Sequence, residues 1–140
     1  MGSIKVAYLI EQCWHRVPGG TAEAAVNLAE EMCRLEGIEL SGIAANHKKD
    51  PQKPIPESMK IVHSKFPRQI LYEMWNKFNI PKAENLVKSA ELVHASGGAV
   101  PSTDRPLVVT IHDLSWREQN DWFPSRGKRF AEKWLDKARK

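Results

Sequence analysis

IKVAYLIEQCWHRVPGGTAEAAVNLAEEMCRLEGIELSGIAA, residues 4–45, decides the fold. It opens on a short apolar run, Ile4 to Ile10, with the composition of a strand buried on both faces. A loop, Glu11 to Gly20, follows and contains Pro18, Gly19 and Gly20. Thr21 is placed to cap a helix, and from Ala22 to Leu35 apolar residues recur at 22, 25, 26, 29, 32 and 33, the spacing of one helical face. Gly37 marks the helix end, and Glu39 to Ala45 reads as a second strand. A strand, a helix and a second strand in this order make a crossover unit, so the two strands are predicted to run parallel.

The rest of the chain extends the pattern. Asn46 to Ser58 is polar, holds Pro51, Pro54 and Pro56, and reads as loop. Lys60 to His63 is a brief third strand, Arg68 to Phe78 has helical periodicity, Pro81 interrupts it, and Lys82 to Ser89 reads as a second short helix. Glu91 to Ala95 is the fourth strand and Leu107 to Ile111 the fifth, separated by a Gly-, Pro- and Ser-rich loop. His112 to Pro124 reads as loop, and from Arg126 a basic amphipathic helix runs to the last residue. The predicted fold is α/β, a parallel sheet of order 3-2-1-4-5 with helices on both faces.

Composition narrows the function classes. With 140 residues and 41% hydrophobic content the chain can build one ordinary domain core. Its apolar stretches are too short to span a bilayer, and its N-terminus has no leader pattern. Cys13 and Cys33 have neither metal-knuckle nor redox spacing, so a reduced, cytoplasmic chain is expected. Of the formal +4 charge, the segment from Arg126 carries seven basic against two acidic residues, while 14 basic face 15 acidic elsewhere. Basicity confined to one helix argues against nucleic acid. It allows a helix lying peripherally on the inner face of a membrane, or one packing its apolar stripe on its own sheet.

In an open α/β sheet, ligands bind beyond the carboxyl ends of the strands. Gly19, Gly20 and Thr21 lie there, at the start of a helix whose unpaired N–H groups suit a phosphate; the alternative is a flexible loop with a cap. His112 and Asp113 follow the fifth strand. The histidine is placed to reach a hydroxyl or diphosphate oxygen, and the aspartate to orient its ring or cap the next turn. His94 and Ser96 end the fourth strand, either as cleft residues or as packed ones. His15, His47 and His63 show no metal-ligand spacing and receive no role. Trp116, Trp122, Phe123 and Trp134 either line an acceptor groove or pack a loop against its helix.

Four stretches together resemble the N-terminal domain of glycosyltransferase family 4: VPGGTAEAAVNLAEEM (17–32), ELVHASGGAVP (91–101), RPLVVTIHDLSW (105–116) and DWFPSRGKRFAEKWLDKA (121–138). They occur in the family's order and cover about residues 4–140. The resemblance implies a Rossmann-like three-layer domain, the acceptor side of a GT-B enzyme that transfers a sugar from a nucleotide-sugar donor with retention. No metal or further cofactor is expected. It implies that the backbone at Gly20, with Gly19 beside it, approaches the donor diphosphate. His112 is implied to contact the donor sugar at the reaction centre, with Asp113 its neighbour. The family's C-terminal domain, with its Glu-x7-Glu motif, has no counterpart in these residues, and the end of the N-terminal domain is also expected to be incomplete. The chain alone is therefore expected to be inactive, needing that missing domain as partner, with a glycan, lipid or small molecule as acceptor. The competing reading is a Rossmann-like module that binds a nucleotide or anion without catalysis.

Overall fold

The computed structural model describes residues 2–140. Five strands form one sheet: β1 (Ile4–Leu9), β2 (Ile38–Ala44), β3 (Lys60–His63), β4 (Leu92–Ala95) and β5 (Leu107–Val109). The order is β3-β2-β1-β4-β5 and every pairing is parallel, as the alternating pattern predicts. Among the described residues five α-helices accompany it: α1 (Gly19–Arg34), α2 (Arg68–Lys77), α3 (Ala83–Leu86), α4 (Ser115–Glu118) and α5 (Ser125–Ala138). The architecture is a Rossmann-like three-layer α/β domain.

Strand β1 is buried on both faces because its alternate residues serve two cores. Val6, Tyr8 and Ile10 pack with Ala25, Val26 and Ala29 of α1. Ala7 and Leu9 pack with Leu71 and Trp75 of α2 and Ala83 of α3. The small residues along α1 let the helix lie close to the sheet. Tyr8 fastens the two by donating its hydroxyl to Ala25 O at 2.8 Å, and burial pushes that phenol up to about 12.

Helix α1 begins earlier than its apolar periodicity predicts. Pro18 already has helical backbone angles (φ −61°, ψ −39°), and its carbonyl accepts Ala22 N–H at 3.4 Å. Thr21 therefore lies inside the first turn and does not cap the helix. Helix α3 is shorter than predicted, since Val87 leaves helical geometry (φ −110°, ψ 87°). Strand β5 ends at Val109, two residues short of the predicted end. Thr110 N–H still reaches Ala95 O at 2.9 Å, and beyond it the chain turns toward His112. The stretch 112–124 was expected to be irregular but contains α4 and a 3-10 turn, Asn120–Trp122.

The apolar stripe of α5 packs on its own domain. Trp134 and Leu135 are buried with Trp116, Val100 and Ala95, and Phe130 stacks on Tyr72 with ring centroids 5.5 Å apart. Trp116 meets Trp134 edge-on at 5.4 Å and donates Nε1–H to Glu132 at 2.8 Å. Arg117 grips the same carboxylate through two bonds of 2.7 and 2.6 Å. Its hydrogen bonds, with Trp116's, hold Glu132 down to about 2. Three of the four late aromatics thus pack the segment to its helix, while Trp122 is 75% exposed. Among the described residues no helix is long and apolar enough to cross a membrane.

Candidate functional site

At the carboxyl ends of β1 and β4, three segments converge on a glycine. Gly97, just past β4, has φ +145°, a backbone region that residues with side chains rarely adopt. A Cβ placed there would sit 2.9 Å from Thr21 Cγ2 and 3.0 Å from the His112 ring. Those three residues come from the first turn of α1, the end of β4 and the end of β5. The topology therefore brings the two main predicted segments, 19–21 and 112, to one place.

His112 is itself exposed, and its Nε2–H donates to Ser96 O at 2.9 Å. In the neutral ring that bond places the proton on Nε2 and leaves Nδ1 as a lone pair that can accept a hydrogen bond from a ligand hydroxyl. Asp113 does not hold the ring. Its Oδ1 accepts Ser115 N–H at 2.9 Å and Ser115 Oγ–H at 2.7 Å, opening α4. Hydrogen bonds from the Ser115 hydroxyl and backbone N–H keep the Asp113 carboxyl below its ordinary range.

Gly19 and Gly20 are exposed, with open space where a Cβ would point. Gly19 turns with φ +63°, which lets the chain enter α1 sharply after Pro18. The opening turn of a helix carries N–H groups with no partner inside the helix, so this open face presents donors and a positive dipole end.

His94 and Ser96 are buried at the end of β4 and not exposed beside His112. His94 is buried, meets Tyr8 edge-on at 5.0 Å, and shares a 2.8 Å hydrogen bond with Thr110 Oγ1. Burial holds its imidazole below the ordinary value. Ser96 Oγ donates to Leu9 O and accepts Gln12 Nε2–H at 3.1 Å.

Gln12 has no signal in the sequence, because a polar residue in a loop is expected to face water. Here it is 2% exposed and donates to Gly97 O at 2.6 Å as well as to Ser96. It thus clamps the two residues on which His112 rests. Glu11 beside it is fully buried, accepting Ala45 N–H and His47 Nε2–H, both at 2.7 Å. Gly97 was visible only as part of the Ser-Gly-Gly turn. Its role as the spacer between Thr21 and His112 required the sheet order. Comparisons of the chain with protein-family models, curated proteins and solved structures found no match.

Proposed function

We propose that this chain is the acceptor-side, Rossmann-like half of a retaining glycosyltransferase that moves a sugar from a nucleotide-sugar donor to an acceptor hydroxyl. The observation that carries the reading is the convergence of Thr21, Gly97 and His112 at the carboxyl ends of β1, β4 and β5. In such a site the open first turn of α1 offers backbone N–H groups to the donor diphosphate. His112, held by Ser96, accepts a hydroxyl of the donor sugar through Nδ1.

The diphosphate leaves with about two negative charges, which backbone dipoles answer only in part. The opposing GT-B domain supplies the cationic partners and closes the cleft, so placement and exclusion of water come from both halves together. This chain accordingly contributes orientation and one contact near the reacting carbon. The resemblance, not the geometry, carries the retention of configuration and the independence from metal.

His112→Ala tests the assignment in an enzyme that carries this chain as its acceptor-side domain. A contact made mainly in the transition state is worth about 2.7–4 kcal/mol, so turnover is expected to fall about 100- to 1000-fold with little change in unfolding midpoint. Near-normal turnover would leave His112 with a structural role only.

A further inference from the structure

A second cleft, of about 420 Å³, opens on the other side of the turn that follows β1. Trp14, His47 and His63, at the carboxyl ends of β1, β2 and β3, form its polar and aromatic side. Ile55, Met59 and Ile61 supply an apolar side. The volume falls in the range of small-molecule sites, roughly 300–1,000 Å³.

The cleft is held open by fixed contacts. The proline-rich loop that walls it is tied to the turn after β1, where Gln52 and Lys53 N–H both donate to Cys13 O, at 2.7 and 3.2 Å. Trp14 Nε1–H donates to Lys49 O at 2.9 Å, and Lys53 pairs with Glu23 of α1. His47 stacks on Trp14, with centroids 4.9 Å apart and planes 5° from parallel. His63 stands edge-on to the same indole at 5.5 Å.

Both imidazoles have one nitrogen committed. The buried Glu11 carboxylate accepts His47 Nε2–H at 2.7 Å, and Ala45 O accepts His63 Nδ1–H at 2.9 Å. In their neutral forms each then keeps one lone-pair nitrogen, His47 Nδ1 and His63 Nε2, with the rings 6.5 Å apart. Two lone-pair acceptors lining one cleft with an apolar and aromatic wall match a ring with hydroxyl donors on its rim and C–H bonds on its faces. Lys48 and Lys49 are balanced on the cleft by Asp50 and Glu57, so charge does not select an anion.

From this geometry we infer that the Trp14–His47–His63 cleft binds a neutral, hydroxyl-rich six-membered ring such as a hexopyranose. The choice of a sugar rests on the glycosyl-transfer reading, for which the cleft is an acceptor seat. The ring's hydroxyls donate to His47 and His63, and Glu11 fixes the His47 tautomer that makes this possible.

The test is histidine-ring and indole NMR of the 140-residue chain. It is titrated with methyl glucoside, methyl mannoside and methyl galactoside, and separately with glucose 6-phosphate and UDP-glucose. At least one glycoside is expected to shift His47, His63 and Trp14 together, saturating at about 1–10 mM. His63→Ala, at an exposed position, should weaken this about tenfold or more, while Lys88→Ala, at an exposed position outside the cleft lining, leaves it unchanged. No saturable shift up to about 100 mM would overturn the inference. So would binding that His63→Ala leaves intact, or binding restricted to glucose 6-phosphate and lost with Lys49→Ala. His112 reports separately on UDP-glucose. Glycoside binding with an unresponsive His112 keeps this cleft and counts against the transfer reading. A responsive His112 with silent His47 and His63 does the reverse.

Discussion

Gly97 concentrates the geometry of the crevice in one missing side chain. Gly97→Ala imposes both an unfavourable backbone angle and contacts of 2.9 and 3.0 Å with Thr21 and His112. Strain of this kind costs about 1–3 kcal/mol. Urea unfolding should show that loss, and the His112 ring resonances should move, because the ring is the more exposed of the two neighbours. A variant as stable as the parent, with His112 unmoved, would mean that the segment relaxes freely. His15 gives a pH-dependent counterpart. Burial first, then the charge of Arg68, hold its imidazole down to about 4. The unfolded chain takes up that proton near its ordinary value, so below it the unfolded state binds more protons and stability falls with pH. Between about pH 7 and 5 His15→Leu should remove about 1–2 kcal/mol of the parent's loss in unfolding free energy. An acid limb that is equally steep in both proteins would contradict this. At these positions the sequence was only partly legible. His112 could be located by its place after an apolar strand. His94, in nearly the same local setting, turned out packed against Tyr8, because burial depends on what lies across the sheet. Gln12 was invisible, since its partners Ser96 and Gly97 are 84 and 85 residues away.

Helix α5 shows how an element's apolar stripe and its charge can serve different ends. Its sequence permits either a membrane-lying helix or one packed on the sheet, and local periodicity is identical in the two cases. The structure places the stripe inward, with Trp134 and Leu135 buried, and leaves Arg126, Arg129 and Lys133 exposed. Trp134→Ala should therefore cost about 3–5 kcal/mol in chemical unfolding, the usual loss for a buried aromatic. Arg129→Ala should stay within about 0.5 kcal/mol. Equal, small effects would mean that α5 is not docked. The strands were the most legible elements, because a short apolar run between turn signals has few other uses in a chain of this pattern. Their ends were less so. Strand β5 is an edge strand of the sheet, and its Val108, like Ile111 just beyond it, is 45% exposed, although LVVTI reads as a buried run. Helix α1 was misplaced at its start for a specific reason: Pro18 is already helical, so Gly19 and Gly20 fall inside the first turn while remaining exposed.

Across the whole domain, parallel order β3-β2-β1-β4-β5 puts every candidate group at one end of the sheet. The Gly19–Thr21 turn and His112 stand over the β1–β4 crevice, and the Trp14–His47–His63 cleft lies beside it over β2 and β3. An acceptor seated in the second would share the sheet's carboxyl end with a donor seated in the first. That arrangement is what a domain needs if it is to hold one substrate of a transfer and touch the other. The proposal can be examined without turnover, by titrating the labelled chain with UDP- and GDP-sugars and following the amides of Gly19, Gly20 and Thr21 together with the His112 ring. One nucleotide sugar should shift all four in concert, with a weak dissociation constant of about 1 mM, and His112→Ala should abolish the sugar-dependent part of the response. Shifts that bypass this turn and His112, or micromolar binding that is equally strong for the nucleotide without its sugar, would contradict the transfer reading and favour a simple nucleotide-binding module.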